Sequence, residues 1–303
     1  MTDILIRAGS FVAIMILGFI LRRIGFFKAD TFQVLSKITI KITLPAAIIS
    51  NFVGKTIDPS MLSLALLSIG AGLFYILVIF LINLSSTKEK RAFDVLNLPG
   101  YNIGNFAMPF VQGFLGPAGM LATSLFDSGN SFIVLGGAFS IALMIKDGTG
   151  FSFKRMGKAL MTSIPFMCYV IMTIVCLCRL PIPKPIASLA QIAGNANPFI
   201  AMLMLGVGFK LEANREQLGT VCRILGIRYG LAILFSLVFY FLLPFELEVR
   251  QALVILAFSP IGSAVPAFTG EMKGDTGLSS AVNSISIICS IVIMVTLMSV
   301  MLT

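Results

Sequence analysis

The stretch Asn97-Leu98-Pro99-Gly100-Tyr101-Asn102-Ile103-Gly104-Asn105-Phe106-Ala107-Met108-Pro109 lies inside an apolar run long enough to cross a membrane, yet it is unsuited to a continuous helix. Pro109 lacks an amide donor and crowds the preceding turn, while Gly104, Asn102 and Asn105 tolerate unwound backbone and can bond the groups it frees. Facing lipid, such freed groups would cost several kcal/mol each. Irregular backbone at membrane depth is therefore expected only where it is buried in protein or lines a watery cavity. That cavity is the candidate site.

The same device recurs as Ser259-Pro260-Ile261-Gly262-Ser263-Ala264-Val265-Pro266-Ala267-Phe268. Ile103-Gly104 aligns with Ile261-Gly262 and, after one gap, Pro109 with Pro266. Beyond each proline the glycines return as Gly113, Gly116 and Gly119 against Gly270, Gly274 and Gly277. Paired Gly/Pro interruptions at corresponding places in two halves are a sequence pointer to a transporter site, though two apolar, Gly-rich segments can also resemble each other by chance.

Composition sets the solvent. Of 303 residues 57% are hydrophobic, mean hydropathy is +1.00 and only 12% are charged, against ~25% charged in soluble domains. This is an all-α integral membrane composition. The net charge of +9 sits in short loops, which excludes nucleic acid as a partner and makes the lipid bilayer the natural one. There is no histidine, and Cys168, Cys176, Cys178, Cys222 and Cys289 lie in apolar stretches without a CxxC. No metal site, disulfide framework or cofactor is expected.

A spanning helix needs ~20 apolar residues, and about ten such spans can be read: 4–21, 32–53, 61–84, 93–114, 118–145, 159–178, 187–209, 219–243, 249–271 and 277–302. Residues 4–21 lack a basic leader and precede Arg22-Arg23, so they read as a retained first helix. Asp58-Pro59 predicts a helix start, and Asp30 with Gln33 a capping box. Lys and Arg concentrate in the loops after spans one, three, five, seven and nine, which predicts those loops inside and both termini outside. Five spans per half make the repeat inverted: residues 1–145, a connector at 146–158, and residues 159–303. Pro45 in the second span has Pro198 as its counterpart in the seventh.

Asn102-Ile103-Gly104-Asn105-Phe106-Ala107-Met108-Pro109-Phe110 resembles the N-x-G-x-x-x-x-P segment of the auxin efflux carrier family, whose bacterial members include malonate and malate permeases. Leu44-Pro45-Ala46 is similar to its second-helix motif, and Gly270-Glu271-Met272-Lys273-Gly274-Asp275 to its late acidic segment. The resemblance implies a ten-helix fold shared with bile-acid and sodium-proton transporters, with broken, crossing fourth and ninth helices. Helices one, two, six and seven would be a scaffold, and helices three to five and eight to ten the moving transport unit. It further implies residence in the cell inner (plasma) membrane and a homodimer through the scaffold helices. Ala107 and Asn105 depart from the family, which often has glycine and an aromatic there.

Charges inside spans are costly, ~2.5–3.5 kcal/mol at a helix centre, so each is a functional candidate. Asp127 lies deep in the fifth span, one turn from Asn130, either as a substrate or proton group or as a buried acceptor for the broken helix. Asn283 gives the tenth span a similar polar face. Glu271 is either a coupling carboxylate or a solvated residue at the cytoplasmic mouth. Lys41, ~15 Å along the second span and one turn before Pro45, is expected to face the cavity and pair with Asp127 in the empty protein, unless it snorkels or lies at a subunit interface. Arg228 is expected to snorkel or pair with an acid.

The function expected is secondary transport of a small organic anion, a mono- or dicarboxylate, by alternating access. Half-helix N-termini and the amides of Asn102 and Asn105, with Gly104, Pro109, Ser263, Pro266, Lys41 and Pro45, would form the substrate site. Coupling to protons, sodium or membrane potential stays open. The alternatives are a non-transporting receptor or a sodium-coupled bile-acid-type symporter. Without histidine, a second intramembrane aspartate or a phosphate-binding loop, neither an enzyme nor an ATP-driven pump is expected.

Overall fold

The computed structural model describes residues 2–28, 30–209 and 215–301, and among these there is no β-strand. Among the described residues seven helices are long and apolar enough to cross a membrane: α1 (Thr2–Arg23), α2 (Thr31–Phe52), α3 (Pro59–Ile82), α6 (Pro117–Asp147), α9 (Lys184–Gly208), α10 (Arg215–Phe241) and α13 (Thr276–Met301). An eighth candidate crossing is the pair of the short α7 (Phe153–Thr162) and α8 (Ile164–Leu177), which are long and apolar enough only together and bend by 77° at their junction. The polar connector therefore contains a helix. The remaining two expected spans are interrupted, which is why neither is long enough as a single helix. One consists of α4 (Lys88–Asn97), the wide turn Ile103–Ala107 and α5 (Met108–Phe114); the other of α11 (Leu247–Ala257) and α12 (Val265–Glu271).

Caps explain some of the boundaries. Asp58 accepts from the Ser60 amide at 3.1 Å, Thr87 from Lys90 and Ser163 from Phe166, each satisfying an orphan donor of a first turn. The capping box at Asp30 does not form: Asp30 already has helical backbone angles, and its carboxylate bonds none of the first-turn amides. Three wide π turns, Thr39–Thr43, Ile103–Ala107 and Ile133–Gly137, interrupt the α-helical register of the second, fourth and fifth spans.

Glycines let the helices pack closely. A Cβ at Gly206 would lie 2.0 Å from the Met15 carbonyl oxygen, and one at Gly129 the same distance from that of Ala65. The α1–α9 and α3–α6 crossings are therefore backbone-to-backbone contacts, as expected where lipid gives no hydrophobic drive and close packing supplies the attraction. Helices α1, α2, α8 and α9 pack on one another, and α3, α4, α6, α10, α11, α12 and α13 form a second set of contacts. Exposed apolar side chains such as Leu66 and Ile192, both 70% exposed, face outward, as a hydrocarbon surround requires.

The interruptions fall earlier than Pro109 and Pro266. Helix α4 ends before Pro99-Gly100, where Gly100 takes a left-handed φ of 85°, and α11 ends before Ser259-Pro260. Pro109 and Pro266 instead sit in the first turns of α5 and α12. For Pro266 a missing N–H costs nothing, because first-turn donors have no intrahelical partner, and this proline restarts the helix that Pro260 stops. Pro109 follows directly on the wide turn Ile103–Ala107, where helical bonding has already resumed, the Met108 amide donating to the Ile103 carbonyl. Residues 98–104 and 258–262 are all buried, so the irregular backbone is kept within protein.

Candidate functional site

The two interruptions touch. The Asn102 amide donates to the Pro260 carbonyl at 2.9 Å, and Asn105 Nδ2 donates to Ser263 Oγ at 3.3 Å. Each unwound segment is braced by an asparagine from the helix that follows it. Asn130 of α6 accepts from the Tyr101 amide at 2.9 Å and donates to the Tyr101 carbonyl at 2.8 Å. Asn283 of α13 donates to the carbonyls of Ile261 at 2.9 Å and Gly262 at 3.2 Å, and Ser286 Oγ accepts from the Ile261 amide. An asparagine amide can replace both halves of a lost backbone pairing, which is why this residue type suits an unwound helix.

Beside this junction is a cavity of about 130 Å³, lined by Leu44, Asn102, Gly104, Asn105, Asp127, Asn130, Tyr169 and Ser263 among others. Asp127 is buried and accepts two hydrogen bonds, from Asn130 Nδ2 at 2.9 Å on one oxygen and from the Tyr169 hydroxyl at 2.7 Å on the other. Among the buried polar atoms of the junction without a partner are Asn102 Nδ2, a donor, and Asn105 Oδ1, an acceptor. Gly104 is a tight fit here, since a Cβ would lie 2.7 Å from Leu44 Cδ2. A second cavity, of about 270 Å³, is reached past Arg22 and Gln33 and is lined by Ser263, Pro266 and Asn283. Ser263, which accepts from Asn105, borders both.

Asn102, Gly104, Asn105, Asp127, Asn130 and Ser263 are thus brought together, with Asn283 and Pro266 on the neighbouring cavity. Pro45 and Pro109 are buried but line neither. Lys41 does not reach the junction: it is exposed, roughly opposite Thr39 and Thr43, and Thr43 bonds Asn197 of α9. Asp127 has its oxygens taken by Asn130 and Tyr169, so the expected Lys41–Asp127 pair is absent. Helical spacing gives depth along α2 but not which side of it meets other helices. Glu271 is exposed at the end of α12 near Asp147 and Arg155, the solvated-mouth alternative.

Two participants were missed. Tyr169 holds Asp127, and a lone tyrosine in an apolar helix carries no sequence signature. Arg228 neither snorkels nor pairs with an acid; it is fully buried and donates to backbone carbonyls of both interruptions. Its position deep in an apolar span was the available signal.

No curated protein matches the chain. A family model described as membrane transport protein matches residues 10–149, from α1 to the end of α6, and so includes the first interruption with Asp127 and Asn130. The match covers just under half of the chain; the chain is a multi-pass membrane protein whose first half is similar to the membrane transport protein family of the auxin efflux carrier type.

Proposed function

We propose that this transporter moves a small carboxylate, a mono- or dicarboxylate of the kind taken by malonate- and malate-type permeases, by alternating access about the junction of the two interruptions. The observation that carries this reading is the unpartnered Asn102 Nδ2, a buried donor beside a cavity whose only carboxylate is already bonded. A buried polar group without a partner costs ~1–3 kcal/mol, a cost that a bound oxygen anion removes. The cavity size favours a small substrate over a sterol-sized one: about 130 Å³ is well below the ~300–1,000 Å³ of drug-sized sites.

In this reading helices α1, α2, α8 and α9 are the scaffold and the remaining spans the transport unit, the two halves form the inverted repeat, and the protein resides in the cell inner membrane with both termini outside. Glycine at position 104 supports the sliding contact, because Leu44 of α2 rests against it where a larger residue would catch. The cavity past Arg22 is the cytoplasmic approach, and parting of Asn105 from Ser263 opens it.

Uptake of a panel of mono- and dicarboxylates into proteoliposomes tests the reading. Asn102→Ala should weaken carboxylate affinity by about 10–100-fold, the equivalent of a ~1.5–3 kcal/mol hydrogen bond to a charged group. Its thermal stability should hold, because that donor has no partner to lose. Wild-type affinity in Asn102→Ala, or uptake that does not saturate for any carboxylate, refutes the proposal.

A further inference from the structure

Arg228 lies mid-way along α10 and is 0% exposed. Among the described residues the only ion pair joins Arg223 to Asp94, so Arg228 has no carboxylate partner. Its guanidinium instead donates to the Leu98 carbonyl at 2.5 Å and to the Ser259 and Pro260 carbonyls at 2.7 and 3.2 Å. It lies 5.2 Å from the Tyr101 ring centre and 5.9 Å from that of Tyr75, whose hydroxyl donates to the Arg228 carbonyl at 3.0 Å.

A buried unpaired charge is strongly unfavourable, so something must balance it. Leu98 follows the last residue of α4, and Ser259 and Pro260 follow the end of α11. Each helix C-terminus carries roughly half a negative charge, and two of them together offset one guanidinium. In transporters with broken helices, unwound carbonyls and half-helix C-terminal ends are the groups that hold a coupling cation. Here those carbonyls are already bonded to a side chain of the same protein.

We propose that Arg228 is a resident cation for the junction, occupying the carbonyl cage where an exchangeable metal ion would otherwise bind. It neutralises the two negative helix ends next to the site, so an anion meets the donors of the unwound segment without that repulsion and without sodium. Arg228 is a positioning residue: it is bonded to the backbone of both interruptions and acts through them.

The proposal rests on the carboxylate reading for its uptake arm only; a melting arm is independent of it. Wild-type protein should take up carboxylate equally from sodium and choline media, and its Tm should be the same in both at equal ionic strength. Arg228→Ala empties the cage. Its Tm should fall by several degrees and be partly restored, saturably, by millimolar guanidinium chloride or sodium chloride but not by choline chloride. Its uptake should become dependent on the same ions, which a purely structural role would not produce. Arg228→Lys, which keeps the charge, should remain less ion-dependent than Arg228→Ala. Sodium that saturably raises wild-type uptake or wild-type Tm overturns the proposal, whether or not any variant folds. So does an Arg228→Ala protein that melts and transports as wild type, or one that folds and responds to neither ion. If no carboxylate is transported by the wild type, the substrate reading fails while the melting comparison still decides the role of Arg228.

Discussion

Replacing Asn130 by alanine removes the brace of the first interruption, and its cost can be worked from the bonds it makes. The Tyr101 amide, the Tyr101 carbonyl and one Asp127 oxygen all lose their side-chain partner, and Tyr101 is only 2% exposed. Each group left unsatisfied costs ~1–3 kcal/mol, so about 3–9 kcal/mol follows for the three. Asn283→Ala frees two carbonyls and no amide. Under-satisfied carbonyls, with a second lone pair, are tolerated better than orphaned amides. The expected order of Tm is therefore wild type, then Asn283→Ala, then Asn130→Ala, with the last lowered on the order of 5–15 °C. The chain has no tryptophan, so unfolding is best followed with a thiol-reactive dye, for which Cys176, 4% exposed, is a suitable buried reporter. An Asn130→Ala protein with wild-type Tm, or one more stable than Asn283→Ala, would refute the bracing role.

Asp127→Asn can keep both local contacts, with its oxygen accepting from Asn130 and its amide donating to Tyr169, so Tm should stay within a few degrees of wild type. If Asp127 carries a coupled proton, accumulation driven by a pH gradient is lost in this variant while downhill flux survives; retained accumulation removes Asp127 from that role. Lys41→Met should leave carboxylate affinity unchanged, since Lys41 faces away from the junction; a clear loss in direct binding measurements would show that α2 turns toward the site. Gly129→Leu forces side-chain atoms into the Ala65 carbonyl, 2.0 Å from the Cβ position, and should abolish recovery of folded protein in size-exclusion chromatography; a monodisperse, wild-type-like peak would contradict the close α3–α6 packing.

The interruptions were legible because breakers inside apolar runs have few physical explanations, and Asn102, Asn105 and Ser263 do meet at their junction. The exact break points were not, because proline is found in opposite places: Pro99 and Pro260 lie where helices stop, while Pro266 sits comfortably in a first turn and Pro109 lies beyond the wide turn that has already restarted its helix. For Asp127 the choice of partner needed three dimensions, as Tyr169 lies 42 positions away. Lys41 was misplaced because a one-dimensional pattern reports depth but not bearing. Arg228 was undervalued for a related reason: its partners are main-chain oxygens, which every residue has and no sequence singles out.

The wide turns at Thr39–Thr43, Ile103–Ala107 and Ile133–Gly137 have a genetic consequence. A π turn is an α-helix with one residue added, so removing a single codon there should restore regular α-helical bonding locally. Because a π turn absorbs its extra residue locally, the helix beyond such a deletion would keep nearly its present bearing. In α2 that would leave Ala47 against Gly194, whose Cβ position lies 2.8 Å from the Ala47 Cα. For folding, a codon lost within these three turns should therefore be tolerated better than one lost from the regular helix on either side, where everything beyond would rotate by ~100°; one lost at the exposed, left-handed Gly148 beyond α6 leaves the register of the spans intact. The tolerance of the gene to single-residue deletions should map the three wide turns directly.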